Sequence, residues 1–495
     1  MAARNVRPIH YVAYGLGDIL GAGSMAVVAG WVLFFYSTFC GLSAFQASAI
    51  FAISRLLDAV WSPTIGHLSD SLSGTALGRR FGRRRFFLLL SIPLLPSFAL
   101  MWVSGHSFLY YLATYIFFEL TYATVMVPYG TLAPEMTDDY KKLSIFAGVR
   151  MMFAQVSAIL AGILPIIIIS AVGGKDSPNT FLYMGIIFSV LFMLVVLATY
   201  VFSWERDETD RPAKAPAKLK DVFAGLYRNV GSTMKVRAFR LHLGMYLGGY
   251  ICQDIFNAAF TYFVVFAMGS SVALASSMMG AMAFAQLVAV GVFIPLILKM
   301  QPAPAYRLAC MFYIVGIIGL YALYHIQPSN LTLLLYIPVL IAGFGRGGLN
   351  FIPWNIYNYM ADVDEVVTSQ RREGIFAGVM MFTRKTTMSL AVVAVGLVLD
   401  AGGFVAGVKT QSVAAVDTIV VTMVVGPLIL LVWGMWVSRK FILNKTTHAT
   451  LLKAVARFKA GDRTPASAED KAVIEDMTGW SYDKLWHADN VASKR

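Results

Sequence analysis

The sequence predicts an all-α integral membrane protein of twelve transmembrane helices in two six-helix bundles. Three observations predict it. Apolar residues come in blocks such as "FFLLLSIPLLPSFALMWV" and "VSAILAGILPIIIISAV", each near the roughly 20 residues that cross a bilayer as helix. Lys and Arg crowd one set of connections and avoid the other, the positive-inside pattern. A loop-and-span motif recurs across a charged linker, as duplicated halves would require. Composition agrees: 58% of residues are hydrophobic, 14% are charged and mean hydropathy is +0.67, whereas soluble chains carry about 25% charged residues. The short alternating segments of a membrane barrel are absent.

In chain order the candidate spans are 11–39, 43–65, 86–104, 108–130, 145–171, 180–203, 241–267, 271–299, 307–325, 331–359, 375–401 and 414–437. The basic connections hold Arg79, Arg80, Arg83, Arg84 and Arg85; Lys141 and Lys142; Arg211, Lys214, Lys218 and Lys220; Lys299 and Arg307; Arg371 and Arg372; and Arg439 and Lys440. The opposite set holds little beyond Lys175 and Lys409. Both termini are therefore expected in the cytoplasm, with an even number of spans in a plasma membrane, read as a bacterial inner membrane. The same sidedness explains the net charge of +13 without a nucleic-acid partner. The expected partners are the lipid bilayer and a small-molecule solute, and the chain is read as a monomer.

The connection 205–240, with "RPAKAPAKLKD", is charged and rich in Pro and Ala. It is read as a cytoplasmic linker between an N-terminal six-helix bundle, 1–204, and a C-terminal one, 241–437. A polar cytoplasmic tail follows over 438–495. Within it "THATLLKAVARFKAG" is amphipathic and suited to a membrane surface. The first apolar run is interrupted by Asp18 and runs too long for the apolar core of a cleaved leader.

The internal echo is specific. "PEMTDDYKKLSIFAGVRMMF" contains Ile145-Phe146-Ala147-Gly148-Val149, and "ADVDEVVTSQRREGIFAGVMMF" contains Ile375-Phe376-Ala377-Gly378-Val379. Each is an acidic-then-basic loop opening a span. Pro128-Tyr129 and Pro353-Trp354 stand upstream.

Charges inside the spans demand reasons, because one at mid-bilayer costs about 2.5–3.5 kcal/mol on insertion scales. They are Asp18, Arg55, Asp58, Glu119, Arg150, Asp254 and Lys385. In "RLLDAVWSPTIGHLSD", Arg55, Asp58 and Ser62 are spaced i, i+3, i+7 and share one helical face. A self-neutralising Arg55–Asp58 pair would explain why both are tolerated. A polar cavity wall would explain why they are there. Asp18 sits among glycines in "YGLGDILGAG" and needs a partner, water or a ligand. Arg150 and Lys385 are cations for such a cavity, with neighbouring Arg384 expected to face elsewhere. Structural and functional roles of Asp254 and Glu119 stay open. Cys40, Cys252 and Cys310 have no metal or redox spacing and read as small buried hydrophobes. The seven histidines show no metal-binding spacing, and no phosphate loop or nucleophile–base pattern appears. No cofactor and no enzyme chemistry are expected, so active transport would draw on an ion gradient, H+ or Na+.

Three stretches resemble the glycoside–pentoside–hexuronide:cation symporter family, the melibiose-permease-like branch of the major facilitator superfamily. They are "RLLDAVWSPTIGHLSD" with "LGRRFGRRRFFLL", "VPYGTLAPEMTDDYKKLSIFAGVRMMFA", and "MADVDEVVTSQRREGIFAGVMMFTRK". The resemblance runs over all the candidate spans and leaves out the tail. It implies the major facilitator fold, two bundles around a central cavity, and alternating access. By resemblance Asp58 stands at a cation-binding aspartate, preceded by Arg55. Ser62 stands where the family has a second cation-binding aspartate. Protonation of Asp58, a sodium site completed by neutral oxygens, and uncoupled transport therefore all remain. Asp18 matches a sugar-binding aspartate, Arg150 the fifth-span arginine and Lys385 the eleventh-span lysine. Met126 and Gly130 replace an aspartate and a tryptophan that hold the sugar. This implies a roomier, less polar site for a sugar-like or larger, modified or amphiphilic solute, as related lysophospholipid symporters accept.

The resulting reading is a secondary transporter, with an uncoupled facilitator or a non-transporting assembly factor or sensor on the same scaffold as alternatives. Arg83 and Arg84 with Asp138, Asp139, Asp362 and Asp364 are read as a cytoplasmic gate of opposite charges. Ordinary sidedness with scattered acids is the alternative.

Overall fold

Helix follows helix through the computed structural model, which describes residues 6–72, 75–137, 139–172, 177–205, 230–357, 359–369, 373–460 and 467–486. Among these residues every regular element is helical. Among the described residues nine helices are long and apolar enough to cross a membrane. We label as α1 the run Pro8–Thr38, and as α2 to α6 the helices Ala44–Ser71, Arg85–Leu100, Phe108–Gly130, Tyr140–Val172 and Pro178–Phe202. Helices α7 to α12 are Arg237–Ala267, Val272–Met300, Pro302–Ile326, Tyr336–Tyr357, Glu373–Ala401 and Val413–Arg439.

All twelve stretches expected to span are thus helical, but α2, α3 and α4 are not among the nine. Their chemistry says why. Helix α2 carries Arg55 and Asp58 inside its apolar run. Helix α3 passes through a 3-10 turn at Ile92–Leu94, beside Pro93 and Pro96. Helix α4 carries Glu119 and a series of tyrosines. In α2 and α4 these polar side chains lower hydropathy while leaving the backbone helical, whereas α3 is apolar but shorter than a span.

Two compact units emerge. The first comprises Met1–Val222, Asn257–Phe284 and Val392–Thr422, and the second Phe223–Phe256, Ala285–Ala391 and Met423–Arg495. Within the first unit, α2 shows how a membrane helix sorts its faces. Leu56 is 71% exposed and Leu57 and Val60 are also exposed, whereas Arg55 and Asp58 are buried. Apolar side chains outward and ions inward is the arrangement lipid favours, since hydrocarbon cannot solvate charge. The N-terminus of α2 is closed by Asp400 of α11, whose two carboxylate oxygens accept the Ala44 and Phe45 amides at 2.8 and 2.9 Å. Ser37 Oγ and Tyr262 OH lie 2.5 Å apart in the same unit.

The tail belongs to the second unit and packs on protein. Asn444 caps α13, Lys445–Lys459, accepting the Thr446 and Thr447 amides. Its apolar stripe is buried at Leu451 and Val455, so the amphipathic pattern serves a protein contact, not a free membrane-facing surface. Helix α14, Ala468–Thr478, follows. Beyond it the Trp486 amide donates to the Val366 carbonyl at 2.9 Å and Ser369 Oγ donates to the Trp486 carbonyl at 2.8 Å. The tail thereby clasps the short helix Met360–Thr368.

Candidate functional site

Helix α1 leaves α-helical geometry immediately after Asp18. Residues Ile19–Gly23 form a π turn, and Val28–Val32 a second. Such turns widen the helix by one residue and often mark functional positions. The glycines around Asp18 allow close contacts. A Cβ on Gly21 would stand 2.5 Å from Asp18 Oδ1 and 2.6 Å from Met126 Cε, and one on Gly17 would stand 2.5 Å from Tyr129 Cε2. Glycine at these positions is what lets the carboxylate, the methionine and the tyrosine converge.

Asp18 is buried and its Oδ1 accepts from Arg150 Nε at 3.0 Å. The guanidinium also lies over the Tyr129 ring, 5.1 Å from its centroid, where the electron-rich ring face attracts a cation. Tyr129 is held in turn. Its hydroxyl donates to the Tyr14 carbonyl at 2.7 Å, and the two rings stack at 4.7 Å. Met126 brings its methyl group beside Asp18, and a Cβ on Gly130 would meet nothing within 4 Å. Asp18, Arg150 and Met126 therefore come together, with exposed Gly130 one turn beyond Met126 on α4.

The second cluster lies on α2 and α4. Arg55 Nη1 donates to Glu119 Oε1 at 2.5 Å, with side-chain exposures of 7% and 1%, and Nη2 lies 3.2 Å from Met25 Sδ. Asp58 accepts from Ser62 Oγ at 2.6 Å on its own helix. The Arg55 tip thus turns to Glu119 on a neighbouring helix, and Ser62 reaches the carboxylate one turn back. Pro63 lacks the amide that the Ala59 carbonyl would otherwise accept from in this turn. Away from span ends, the first unit holds three carboxylates, Asp18, Asp58 and Glu119, and two guanidiniums, Arg55 and Arg150.

Sequence reasoning gave Arg384 no role. It lies in the second unit, where it grips Asp254 through two bonds of 2.6 and 2.7 Å. Lys385 is half-buried beside it in the chain, one helical step of about 100° away. An acid on α7 and a base on α11, as on α1 and α5, were the available signal.

The loop charges find partners within their own units. Arg83 and Arg84 reach Glu135 Oε1 at 2.8 and 3.0 Å. Glu205 Oε1 accepts the Arg84 and Arg85 amides, capping α3. Exposed Asp139 accepts the Lys142 amide at 3.3 Å at the start of α5. Asp138 lies outside the described residues. In the second unit Asp362 meets His448 Nε2 at 2.8 Å, Glu365 meets Lys459 Nζ at 2.6 Å, and Asp364 is fully buried.

Comparison with known proteins places this arrangement. A family model described as MFS/sugar transport protein matches residues 13–445. An uncharacterized symporter of Bacillus subtilis, YnaJ, is 28% identical over 92% of this chain and 96% of the relative. The isoprimeverose transporter of Lactiplantibacillus pentosus is 24% identical over 84% of this chain and 85% of its own. Among solved structures, an inward-facing bacterial homologue of the lysosomal transporter Spinster matches in fold with a TM-score of 0.62 at 15% identity, covering 88% of this chain and 98% of that one.

Proposed function

The chain belongs to the MFS/sugar transport protein family, and from that premise we propose that it is a cation-coupled symporter of a sugar-like or larger modified solute, working by alternating access. As a family member it is an integral membrane transporter of sugar type, not an enzyme. In our reading α1 to α12 all cross the bilayer as two groups of six, with both termini in the cytoplasm of a bacterial inner membrane. Asp18, Arg150 and Tyr129, all in the first unit, hold the solute. The carboxylate and guanidinium hydrogen-bond hydroxyls, while Met126 and Gly130 leave room for substituents.

The observation that carries the coupling is the charge excess of the first unit. Three carboxylates stand against two guanidiniums, and the Asp58 carboxylate accepts the neutral Ser62 hydroxyl. A cation bound there would remove the excess in a medium that penalises net charge. A proton needs only that carboxylate, whereas sodium would have to recruit further neutral oxygens. The bound cation drives transport by favouring one conformation over the other, since a ligand shifts an equilibrium only by its differential affinity.

The test is solute uptake into proteoliposomes under proton and sodium gradients imposed separately. Asp58→Asn abolishes gradient-driven accumulation and retains solute exchange. Accumulation at the wild-type level in that variant removes Asp58 from coupling.

A further inference from the structure

We propose that the tyrosines along one face of α4, with Tyr36 of α1, form a proton path from the outer end of the first unit to the buried carboxylates beside Arg55, so that the coupling ion is a proton. This rests on the cation-coupled reading and adds to it the identity of the ion and its route.

The route begins with a periodicity. Tyr111, Tyr115, Glu119 and Tyr122 are spaced i, i+4, i+8, i+11 and so form one stripe along α4. At about 1.5 Å per residue, Tyr111 and Glu119 stand about 12 Å apart along the axis. Helix α3 begins at Arg85 and ends at Leu100, so Tyr111, in the first turn of α4, lies at the end of the unit opposite the arginine loop. This is the outer face in the orientation proposed above. Tyr36 enters from the end of α1, its ring 4.8 Å from that of Tyr111. Tyr36, Tyr111 and Tyr115 are fully buried. The Tyr36 hydroxyl lies within electrostatic range of those of Tyr111 and Tyr115. The Tyr115 hydroxyl lies within range of Glu119, Arg55 and Asp58. At the inner end Tyr122 donates to the Gly21 carbonyl at 3.2 Å. At the outer end exposed His106 stacks on Tyr110 at 4.1 Å, and its amide donates to the Tyr111 hydroxyl at 3.3 Å.

Two of these hydroxyls are unusual. Among the described residues Tyr36 OH and Tyr115 OH find no hydrogen-bond partner. Buried polar groups are bonded to protein or to ordered water, so these are the places on the route where water binds. A packing role asks only for the ring, and phenylalanine would supply it without the cost of an unmet hydroxyl. Nor does the fold require the stripe. Counted from Pro128 and Pro353, the positions of α10 that match Tyr115, Glu119 and Tyr122 are Leu340, Phe344 and Gly347.

The chemistry of the stripe selects the ion. A tyrosine hydroxyl can donate on one side while it accepts on the other. A proton taken up at one oxygen therefore leaves as another from the next, and each hydroxyl ends as it began. The net change is one proton added to a carboxylate. Sodium must travel as an ion within several oxygen ligands, which a file of buried rings does not supply. The carboxylates are thereby loaded from the outer face without a solute-sized opening there.

The experiment reads charge movement in proteoliposomes of uniform orientation on a solid-supported membrane, with no solute, after a rapid step in proton or sodium concentration outside. A step to acid pH moves charge in the wild type, Asp58→Asn abolishes the signal, and a sodium step at constant pH gives none. Tyr36→Phe and Tyr115→Phe each slow the proton signal by about tenfold and keep its amplitude, because the path sets the rate and the carboxylate the extent. Neither hydroxyl bonds protein, so both variants keep the wild-type melting temperature, which separates a slowed relay from a damaged fold. A wild-type rate in either phenylalanine variant overturns the path and leaves coupling at Asp58 standing. A sodium signal that Asp58→Asn abolishes, with none from protons, overturns the choice of ion and again leaves coupling standing. No signal from either ion that depends on Asp58 overturns the coupling reading as well.

Discussion

Replacing Arg55 by Gln tests whether the ions inside the first unit form one electrostatic network. Arg55 bonds Glu119 at 2.5 Å with both side chains almost wholly buried. Two unit charges with centres about 4 Å apart attract by about 4 kcal/mol at an effective dielectric of 20. Breaking a buried pair by removing one partner costs about 3–5 kcal/mol, because the other charge stays buried. Arg55→Gln leaves Glu119 and, three residues along its own helix, Asp58. Its cost should therefore reach about 4 kcal/mol. Glu119→Gln breaks the same contact but leaves Arg55 on one helical face with Asp58, so its cost falls to about 2 kcal/mol. The double variant removes both ends and should cost less than the sum, with a coupling energy of about 3 kcal/mol. Denaturation in mixed micelles, followed by circular dichroism across the four proteins, measures the cycle. A coupling below about 0.5 kcal/mol would show that the pair is not the buried interaction its geometry describes, and equal losses for the two single variants would show that Arg55 does not hold Asp58.

Asp400→Ala removes the acceptor for the Ala44 and Phe45 amides at the start of α2 and should cost about 1–2 kcal/mol in the same assay, with Asp400→Asn retaining part of the capping. Ending the chain at residue 444 removes the partners of Asp362, Glu365 and Val366; hydrogen exchange should then accelerate over 360–368 and not in α4. Burial pushes the Cys40 thiol up to about 12, so at pH 8 it is almost wholly protonated. Labelling by maleimide should be slower than for an ordinary thiol by about a thousandfold, rising about tenfold per pH unit up to that value; labelling at the ordinary rate would refute the burial.

Much of this protein is determined by its sequence alone. Hydrocarbon admits only backbones that bond themselves, so long apolar blocks become helices. The cost of mid-membrane charge makes Asp18, Arg55, Asp58, Arg150 and their fellows legible as a set before any partner is known. The i, i+4 spacing that brings Ser62 onto Asp58 is local and could be read directly. The echo of Ile145–Val149 in Ile375–Val379 signalled duplicated halves.

Only the tertiary structure decided which charge meets which. Arg55 and Asp58 share a helical face, yet Arg55 is bonded to Glu119 on α4. Arg384 was expected to face elsewhere, yet it is bonded to Asp254 through two hydrogen bonds. The tail helix has the pattern of a membrane-surface segment, yet Leu451 and Val455 are buried against protein. One physical reason covers all three. Periodicity specifies the face of a helix on which a side chain lies, but the partner of that face depends on the rotation and depth of other helices. With about 100° between successive residues, a single step in the chain changes which neighbouring helices a side chain can reach.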